Sequence, residues 1–457
     1  MTRLDNRDII DTFWEDSITQ SYLEVLKSLI AKKSIFAQDI GLLDVATFLQ
    51  TIFEKAGAEV ILDKTYQAPF VLAKFISPNK NAKTLIFYNH YDTVPADGDQ
   101  KWQSQPFELT IKDNVMYGRG VDDDKGHIIA RLTAVQKYIS DFGALPINII
   151  FMLEGAEESA SVDLEHYLSK YKNQLVGSEL LIWEQGIRNE QDQLEVTGGN
   201  KGIVTFDAKV KSAALDCHSK LGGSIESATW YLIDALSSLR GENGQILVDG
   251  LTDAIQKPSQ KELDLVAHYA LEDEEKIKGL YGLRLPMLQS DRLEFLKTYY
   301  FQPSLTIQGF ASGYLGKGVK TIIPSEANAK LEIRLVPGMD PEVVFEQVKK
   351  QLQKNGFDQV ELLYTLGEKS YRSDLSHPAI QHLITVLDKH YPRGLSLLPT
   401  SAGTGPMHTV FEELAVPMAS FGLGNKDSRD HAGDENISIE DYYTHIVLVE
   451  ELIKSYE

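Results

Sequence analysis

A single cysteine, Cys217, in 457 residues excludes a disulfide within the chain and any multi-thiolate metal site. A metal bound to this protein has to be held by histidine and carboxylate. Basic residues are also in short supply: Lys plus Arg number 45 against 66 Asp plus Glu, a formal charge of -21. A chain of that sign is repelled by nucleic acid and by anionic membrane surfaces, so neither is expected as a partner. Long hydrophobic runs are missing too. The longest, around Ile147 to Leu153, has the length of a buried strand and is far too short to span a bilayer. The opening MTRLDNRDIIDTFWEDS has no apolar core of the secretory kind and turns acidic early, so a cytoplasmic protein is expected. There is no internal repeat and no low-complexity tract.

What is present is ample core material. Hydrophobic residues make up 43% of the chain and charged residues 24%, as in soluble globular proteins. The length calls for more than one domain. Up to about position 199 the chain alternates helical periodicity with short apolar runs. Thr19 to Ala31, Leu42 to Ala56 and Gly126 to Ile139 read as helices; TLIFYN (84–89), INIIFML (147–153) and ELLIW (179–183) read as buried strands. This order predicts an α/β domain, a mostly parallel sheet with helices on both faces. TFDAKVK (205–211) and AKLEIRLV (329–336) alternate instead, which suits a half-exposed antiparallel sheet. Helices are expected over Ser227 to Leu239 and Pro341 to Lys354, with a helix-rich polar stretch from Gly241 to Thr298. After Ser376 the α/β pattern returns, with helices at Pro378 to His390 and Ile439 to Lys454. The expected organisation is therefore a metal-binding catalytic domain from 1–199 and 371–457, with an α+β antiparallel-sheet domain of 200–370 inserted as a lid and dimerisation unit.

Polar side chains cluster where the apolar runs end. In FYNHYDTVPA, His90 and Asp92 lie two apart on a strand and so share a face. Asp92 can accept the second ring N–H of His90 and fix its tautomer. YGRGVDDDKGH puts three aspartates, Asp122 to Asp124, before a helix, more than capping needs. LEGAEESAS places Glu157 and Glu158 directly after a buried strand, where two like charges are costly without a cation nearby. Adjacent acids point in different directions, so one can ligate a metal while the other faces a water. Glu184 follows ELLIW, and His431 sits in RDHAGDEN. Each of these has an ordinary surface or capping explanation. Together, two histidines and several carboxylates past strand ends of one domain suit a two-metal site with zinc, manganese or cobalt. The other histidines read as structural. Cys217–His218 is rejected as a nucleophilic pair because neighbouring strand residues face opposite ways, and GKGVKT is rejected as a phosphate loop because Val319 interrupts it.

The segments HYDTVPA, WQSQPF, YGRGVDDDKG, EGAEES, CHSKLGGS, TIIPSEANAKLEIRLVPG and DHAGDEN, in this order, resemble those of metallopeptidase family M20, which includes dipeptidases, carnosinases, carboxypeptidases and acylases. The resemblance runs from about residue 20 to the C-terminal end. It implies two divalent metal ions, zinc first, with manganese or cobalt as alternatives. It implies that His90 binds one metal with Asp92 behind it, that Asp123 bridges both, that Glu184 completes the first site, and that Glu158 and His431 complete the second. Glu157 would be the general base and His218, supplied by the partner in dimeric members, the oxyanion stabiliser. Arg334 would hold the substrate carboxylate, and the TSAGTGP loop with Gly403, Thr404 and Gly405 would line the substrate. The Asp123–Asp124 peptide would be cis. Three departures stand out: the extra Asp122, Glu184 where many dipeptidases have Asp, and Thr400 where carnosinase-like members have Arg.

The expected function is metal-dependent hydrolysis of dipeptides or short peptides with a free C-terminal carboxylate, by a homodimer joined through the inserted domain. The alternative is an N-acyl amino acid deacylase or desuccinylase, towards which Glu184 leans. A non-enzymatic metal- or peptide-binding protein is a third reading, opposed by Glu157 and His218, neither of which is needed merely to hold metal.

Overall fold

The computed structural model describes residues 6–97, 101–268, 278, 282–289 and 291–457. In chain order, the elements that matter begin with strands β1 (Glu59–Asp63), β2 (Phe70–Phe75) and β3 (Thr84–His90), helix α1 (Lys125–Phe142), and strands β4 (Asn148–Glu154), β5 (Leu180–Trp183) and β6 (Leu194–Thr197). They continue with β7 (Gly202–Lys211), α2 (Ala228–Ser237), β8 (Ser304–Ser312), β9 (Glu326–Leu335), α3 (Pro341–Lys354), β10 (Glu361–Glu368), β11 (Leu395–Leu398), β12 (Met418–Ser420) and α4 (Ile439–Lys454).

The larger sheet runs β1-β2-β4-β3-β5-β12-β6, extended by two short strands at 187–188 and 424–425, with β11 pairing β6. Its centre is parallel. β3 lies parallel to β4 from Thr84↔Asn148 to His90↔Glu154, and parallel to β5 on its other side; β12 is parallel to β5. β1 and β2 form an antiparallel margin. All four residues of β5 are buried, and all of β3 and β4 beyond their first residue, because helices cover both faces. One face packs α1, α4 and helices Ser17–Ile30, Leu42–Lys55 and Pro378–His390; the other packs helices Leu164–Leu175 and Met407–Leu414. Each fully buried large apolar side chain here contributes about 1.5–3 kcal/mol. The fold is thus α/β with a mainly parallel central sheet, and parallel strands of this kind deliver their last residues to a single edge.

The second sheet, β8-β9-β7-β10, is antiparallel throughout. β9 alternates buried and more accessible positions along nearly its whole length, and β7 does so beyond Gly202–Val204. The buried side faces α2 and α3 in a separate core. The two crossings of the chain between the sheets lie side by side, Gly199–Asn200 pairing antiparallel with Tyr371–Arg372. Within the polar stretch 241–298, helices form at Gln260–Ala267 and from Arg292 onward; positions 269–277, 279–281 and 290 of that stretch lie outside the described residues. Among the described residues no helix is long and apolar enough to cross a membrane.

Candidate metal centre

The parallel strands bring their carboxyl ends together, and the polar residues singled out above follow those ends. His90 closes β3, Glu157 and Glu158 form a single turn after β4, and Glu184 follows β5. Asp123 comes from the loop ahead of α1, where the Asp123–Asp124 peptide is cis. His431 comes from the loop before α4.

These side chains converge. His90 Nε2 lies 2.8 Å from Asp123 Oδ1 and 3.8 Å from Glu184 Oε2. His431 Nε2 lies 2.9 Å from Asp123 Oδ2 and 3.1 Å from Glu158 Oε2. Asp123 therefore turns one carboxylate oxygen to each histidine. Asp92 stands behind the site: its carbonyl is 3.1 Å and its Oδ1 3.4 Å from His90 Nδ1. The same carboxylate accepts the backbone N–H groups of Glu157 and Glu158, each at 3.2 Å. One buried aspartate thus orients the histidine and anchors the acidic turn.

Two groups of ligand-competent atoms result, His90 with Asp124 and Glu184, and Asp123 with Glu158 and His431. Asp124 is the poorer claimant to the first group. Its Oδ2 already accepts Asn89 Nδ2 at 2.7 Å and the His90 backbone N–H at 3.1 Å, while its Oδ1 is buried without a hydrogen-bond partner, 2.9 Å from a His127 Nδ1 that pairs with the Asp122 carbonyl. Asp123 lies closer to His90 Nε2 and is also the residue that faces both rings. Asp122 is turned away, packed so tightly beneath Gly424 that a Cβ there would come within 2.9 Å of its carboxylate.

The electrostatics call for positive charge. Burial pushes Asp123 up, but hydrogen bonds from His431 and His90 outweigh it and hold the carboxyl well below the usual range. Glu157 is pushed well up, by burial and then by the Glu184 carboxylate. Glu184 is pushed up by burial and, against the pull of His90, by Asp124 and Asp123. Acids crowded in this way are uncomfortable unless cations share the site. Glu184 Oε2 is buried with no hydrogen-bond donor, as a ligand oxygen would be. Oxygen and imidazole donors without a thiolate suit hard-to-borderline divalent ions, so the residues fit a two-metal centre.

Around this cluster lies a cleft of about 440 Å³ lined by Trp183, Glu184, Asn200, Tyr299, Thr404 and Asp430, among others. Arg334 reaches it from β9 and donates from Nη1 to Thr404 Oγ1 at 2.6 Å. The Gly403 carbonyl accepts the Lys201 N–H at 2.8 Å, and that of Gly405 accepts Asn200 Nδ2 at 2.7 Å. A Cβ on Gly405 would stand 3.5 Å from Glu157 Oε1, so this loop runs directly past Glu157. His218 is not brought to the cluster. It is exposed in a two-residue strand paired with Ile322–Ile323, and its Nδ1 accepts the Lys220 N–H at 3.1 Å. No hydrogen bond or ion pair joins it to the cluster among the described residues.

Some residues here are not among those the sequence reading selects. Arg131 and Lys201 are buried cations and Glu435 is a buried anion, all behind or beside the site. Arg131 carried a usable signal: it sits three residues after Ile128 and four before Val135, on the apolar stripe of its helix.

A family model described as peptidase family M20/M25/M40 matches residues 86–455. The human Beta-Ala-His dipeptidase is 30% identical over 389 residues, covering 81% of this chain and 74% of that protein. The Cys-Gly metallodipeptidase dug1 of Schizosaccharomyces pombe is 26% identical over 391 residues, covering 83% and 81%. Among solved structures, the M20 family metallo-carboxypeptidase Sso-CP2 from Sulfolobus solfataricus superposes with a TM-score of 0.88 at 34% identity, covering 95% of this chain and 99% of that one.

Proposed function

The chain belongs to peptidase family M20/M25/M40, and from that premise we propose that the cluster around Asp123 is the catalytic centre of a dipeptidase or carboxypeptidase. The protein is a metal-dependent peptide hydrolase; the deacylase alternative is not favoured, the relatives reported above being dipeptidases and a carboxypeptidase. In the proposed arrangement, His90, Asp123 and Glu184 hold one divalent ion, and Asp123, Glu158 and His431 the other. The observation that carries this reading is the pair of oxygens of Asp123, one against each histidine. The ions are zinc first, with manganese or cobalt as alternatives that the oxygen–imidazole donor set also admits. When bound, such a pair would act as a Lewis acid and lower the pKa of a water towards roughly 7.

The chain's own residues do the rest. Glu157 takes the proton of the attacking water and passes it to the leaving amine. Asp92 holds the ring of His90 and, through two backbone N–H groups, the turn that presents Glu157. Arg334 binds the substrate's terminal carboxylate beside Thr404, while Gly403 and Gly405 leave room for the peptide. His218 stabilises the oxyanion from a second copy of the chain, which its exposed, remote position favours. A homodimer through the 200–370 unit is supported by apolar side chains left outside on α2 and the edge strand β8: Trp230, Ile233, Ile307 and Phe310. On this reading 1–199 with 371–457 is the metal-binding catalytic domain and 200–370 the inserted lid, in a cytoplasmic protein.

A hydrolysis assay of metal-reconstituted protein on a mixed dipeptide library, with an N-acetyl amino acid panel beside it, tests the reaction class. Dipeptide cleavage is expected; cleavage of the acyl amino acids alone would sink the peptidase reading. The clamp makes a separate prediction. Replacing Arg334 with alanine removes a charge-assisted interaction of about 1.5–3 kcal/mol, or about 10–150-fold in kcat/KM. Amidating the substrate's C-terminus should cost the wild type a similar factor and the variant little. Equal use of free acid and amide by the wild type would remove Arg334 from this role.

A further inference from the structure

Two buried ions outside the ligand set hold the backbone that carries the ligands, and they hold different parts of it. Arg131 projects from α1 beneath the strand ends. Its Nη1 donates to the Tyr88 carbonyl at 3.2 Å and to Asn89 Oδ1 at 3.1 Å; its Nη2 donates to the carbonyls of Trp183 at 2.7 Å, Glu184 at 2.9 Å and Phe421 at 3.4 Å. These acceptors belong to the ends of β3, β5 and β12, the first two carrying His90 and Glu184. Carbonyls past the last ladder bond of a buried strand need a donor. A planar guanidinium spreads five donors over a fork wide enough to reach separate strand ends, whereas an ammonium offers three from a single point.

Glu435 makes the opposite device. Its Oε1 accepts the backbone N–H groups of Gly120, Asp122 and Asp123, each at 3.0 Å, and its Oε2 accepts Arg119 Nη1 at 2.6 Å. Its own carbonyl accepts the Gly118 N–H at 3.0 Å. Arg119 Nη2 in turn donates to the Ala432 carbonyl at 3.1 Å, next to His431. A fully buried carboxylate thereby ties the loop of Asp123 to the loop of His431.

We infer that Arg131 and Glu435 are positioning residues for different parts of the metal centre, Arg131 for the strand ends that carry His90 and Glu184, and Glu435 for the loops that carry Asp123 and His431. The inference rests on the two-metal reading above. Residues behind metal ligands typically govern affinity by 10–100-fold, and here that leverage is divided.

The test uses the full chain with Zn²⁺ as probe and equilibrium dialysis as readout, so it does not depend on activity. His90→Ala leaves only the His431 half and His431→Ala only the His90 half. In the His90→Ala background, Glu435→Gln should weaken Zn²⁺ binding about 10–100-fold and Arg131→Lys should leave it near its parent. Glutamine forces an NH₂ against either Arg119 or the three amides. In the His431→Ala background Arg131→Lys should become the damaging change, and Glu435→Gln should cost less than it does in the His90→Ala background, because only one of its two loops, that of Asp123, still serves the remaining half. Glu435→Asp, which keeps the charge but withdraws it from the amides, should follow Glu435→Gln and serves where that variant does not fold by circular dichroism. Equal losses in both backgrounds, or none, would overturn the division and leave both residues as general supports of the fold. Failure of the wild type to bind two Zn²⁺ would instead overturn the metal centre itself.

Discussion

Glu157→Gln should lower kcat by about 10²–10⁴-fold, the usual contribution of a positioned general base, while the protein still binds two metal ions. Both halves of that expectation come from geometry. Glu158, its neighbour, points to His431 at 3.1 Å and is spoken for as a ligand. Glu157 faces the Gly405 loop instead, and its carboxyl is pushed up by burial and by Glu184. Glutamine keeps the shape and the backbone N–H bond to Asp92 but cannot take a proton. KM should therefore change far less than kcat. The measurement is steady-state kinetics on a cleaved dipeptide beside a metal count on the same preparation. A kcat within a few-fold of wild type would give the proton transfer to another group. Loss of one metal with the activity would make Glu157 a ligand.

The buried strands were legible because a strand covered on both faces must be apolar almost throughout. TLIFYN, INIIFML and ELLIW stand out, and β3, β4 and β5 lie within a residue of those runs. The ligand candidates were legible for the converse reason: His90, Glu157 and Glu184 are polar residues directly past runs that exclude polarity. β1 and β2 were not singled out, since a marginal antiparallel pair such as EVILD and FVLAKF carries too short a pattern between stronger signals. Helix Lys125–Phe142 was legible, and Arg131 falls on its apolar stripe, but the sequence does not say what a guanidinium buried there would bind. What places it inside is the need of three strand ends for a donor, a tertiary fact. Glu435 is harder still. It stands beside Asp434 in a run of polar residues, and only the fold separates their partners: Asp434 accepts from Gln103, Glu435 from the Asp123 loop. His218 marks a different limit. Its segment resembles the family pattern, yet among the described residues it stands exposed, with no hydrogen bond or ion pair to the cluster.

Asp123→Asn should have the largest effect of any single change, abolishing high-affinity binding at both metal positions and taking peptide cleavage below detection. The reason is that Asp123 alone spans the two halves, Oδ1 at 2.8 Å from His90 and Oδ2 at 2.9 Å from His431. Asparagine replaces one oxygen with a donor and removes the charge that both ions would share, so neither half keeps its full ligand set. Glu184→Gln and Glu158→Gln should each weaken one ion and spare the other. The signature is thus a contrast of stoichiometries, read by dialysis against Zn²⁺ or Mn²⁺. Thermal melts give an independent reading: an ion at 1,000 times its Kd stabilises the native state by about 4.1 kcal/mol. Metal should accordingly raise the wild-type Tm and leave that of Asp123→Asn almost flat. The same comparison separates a shared centre from two neighbouring sites. If Asp123→Asn still held one ion at wild-type affinity, the carboxylate would belong to one histidine only, and the second cluster would be an independent site with its own chemistry.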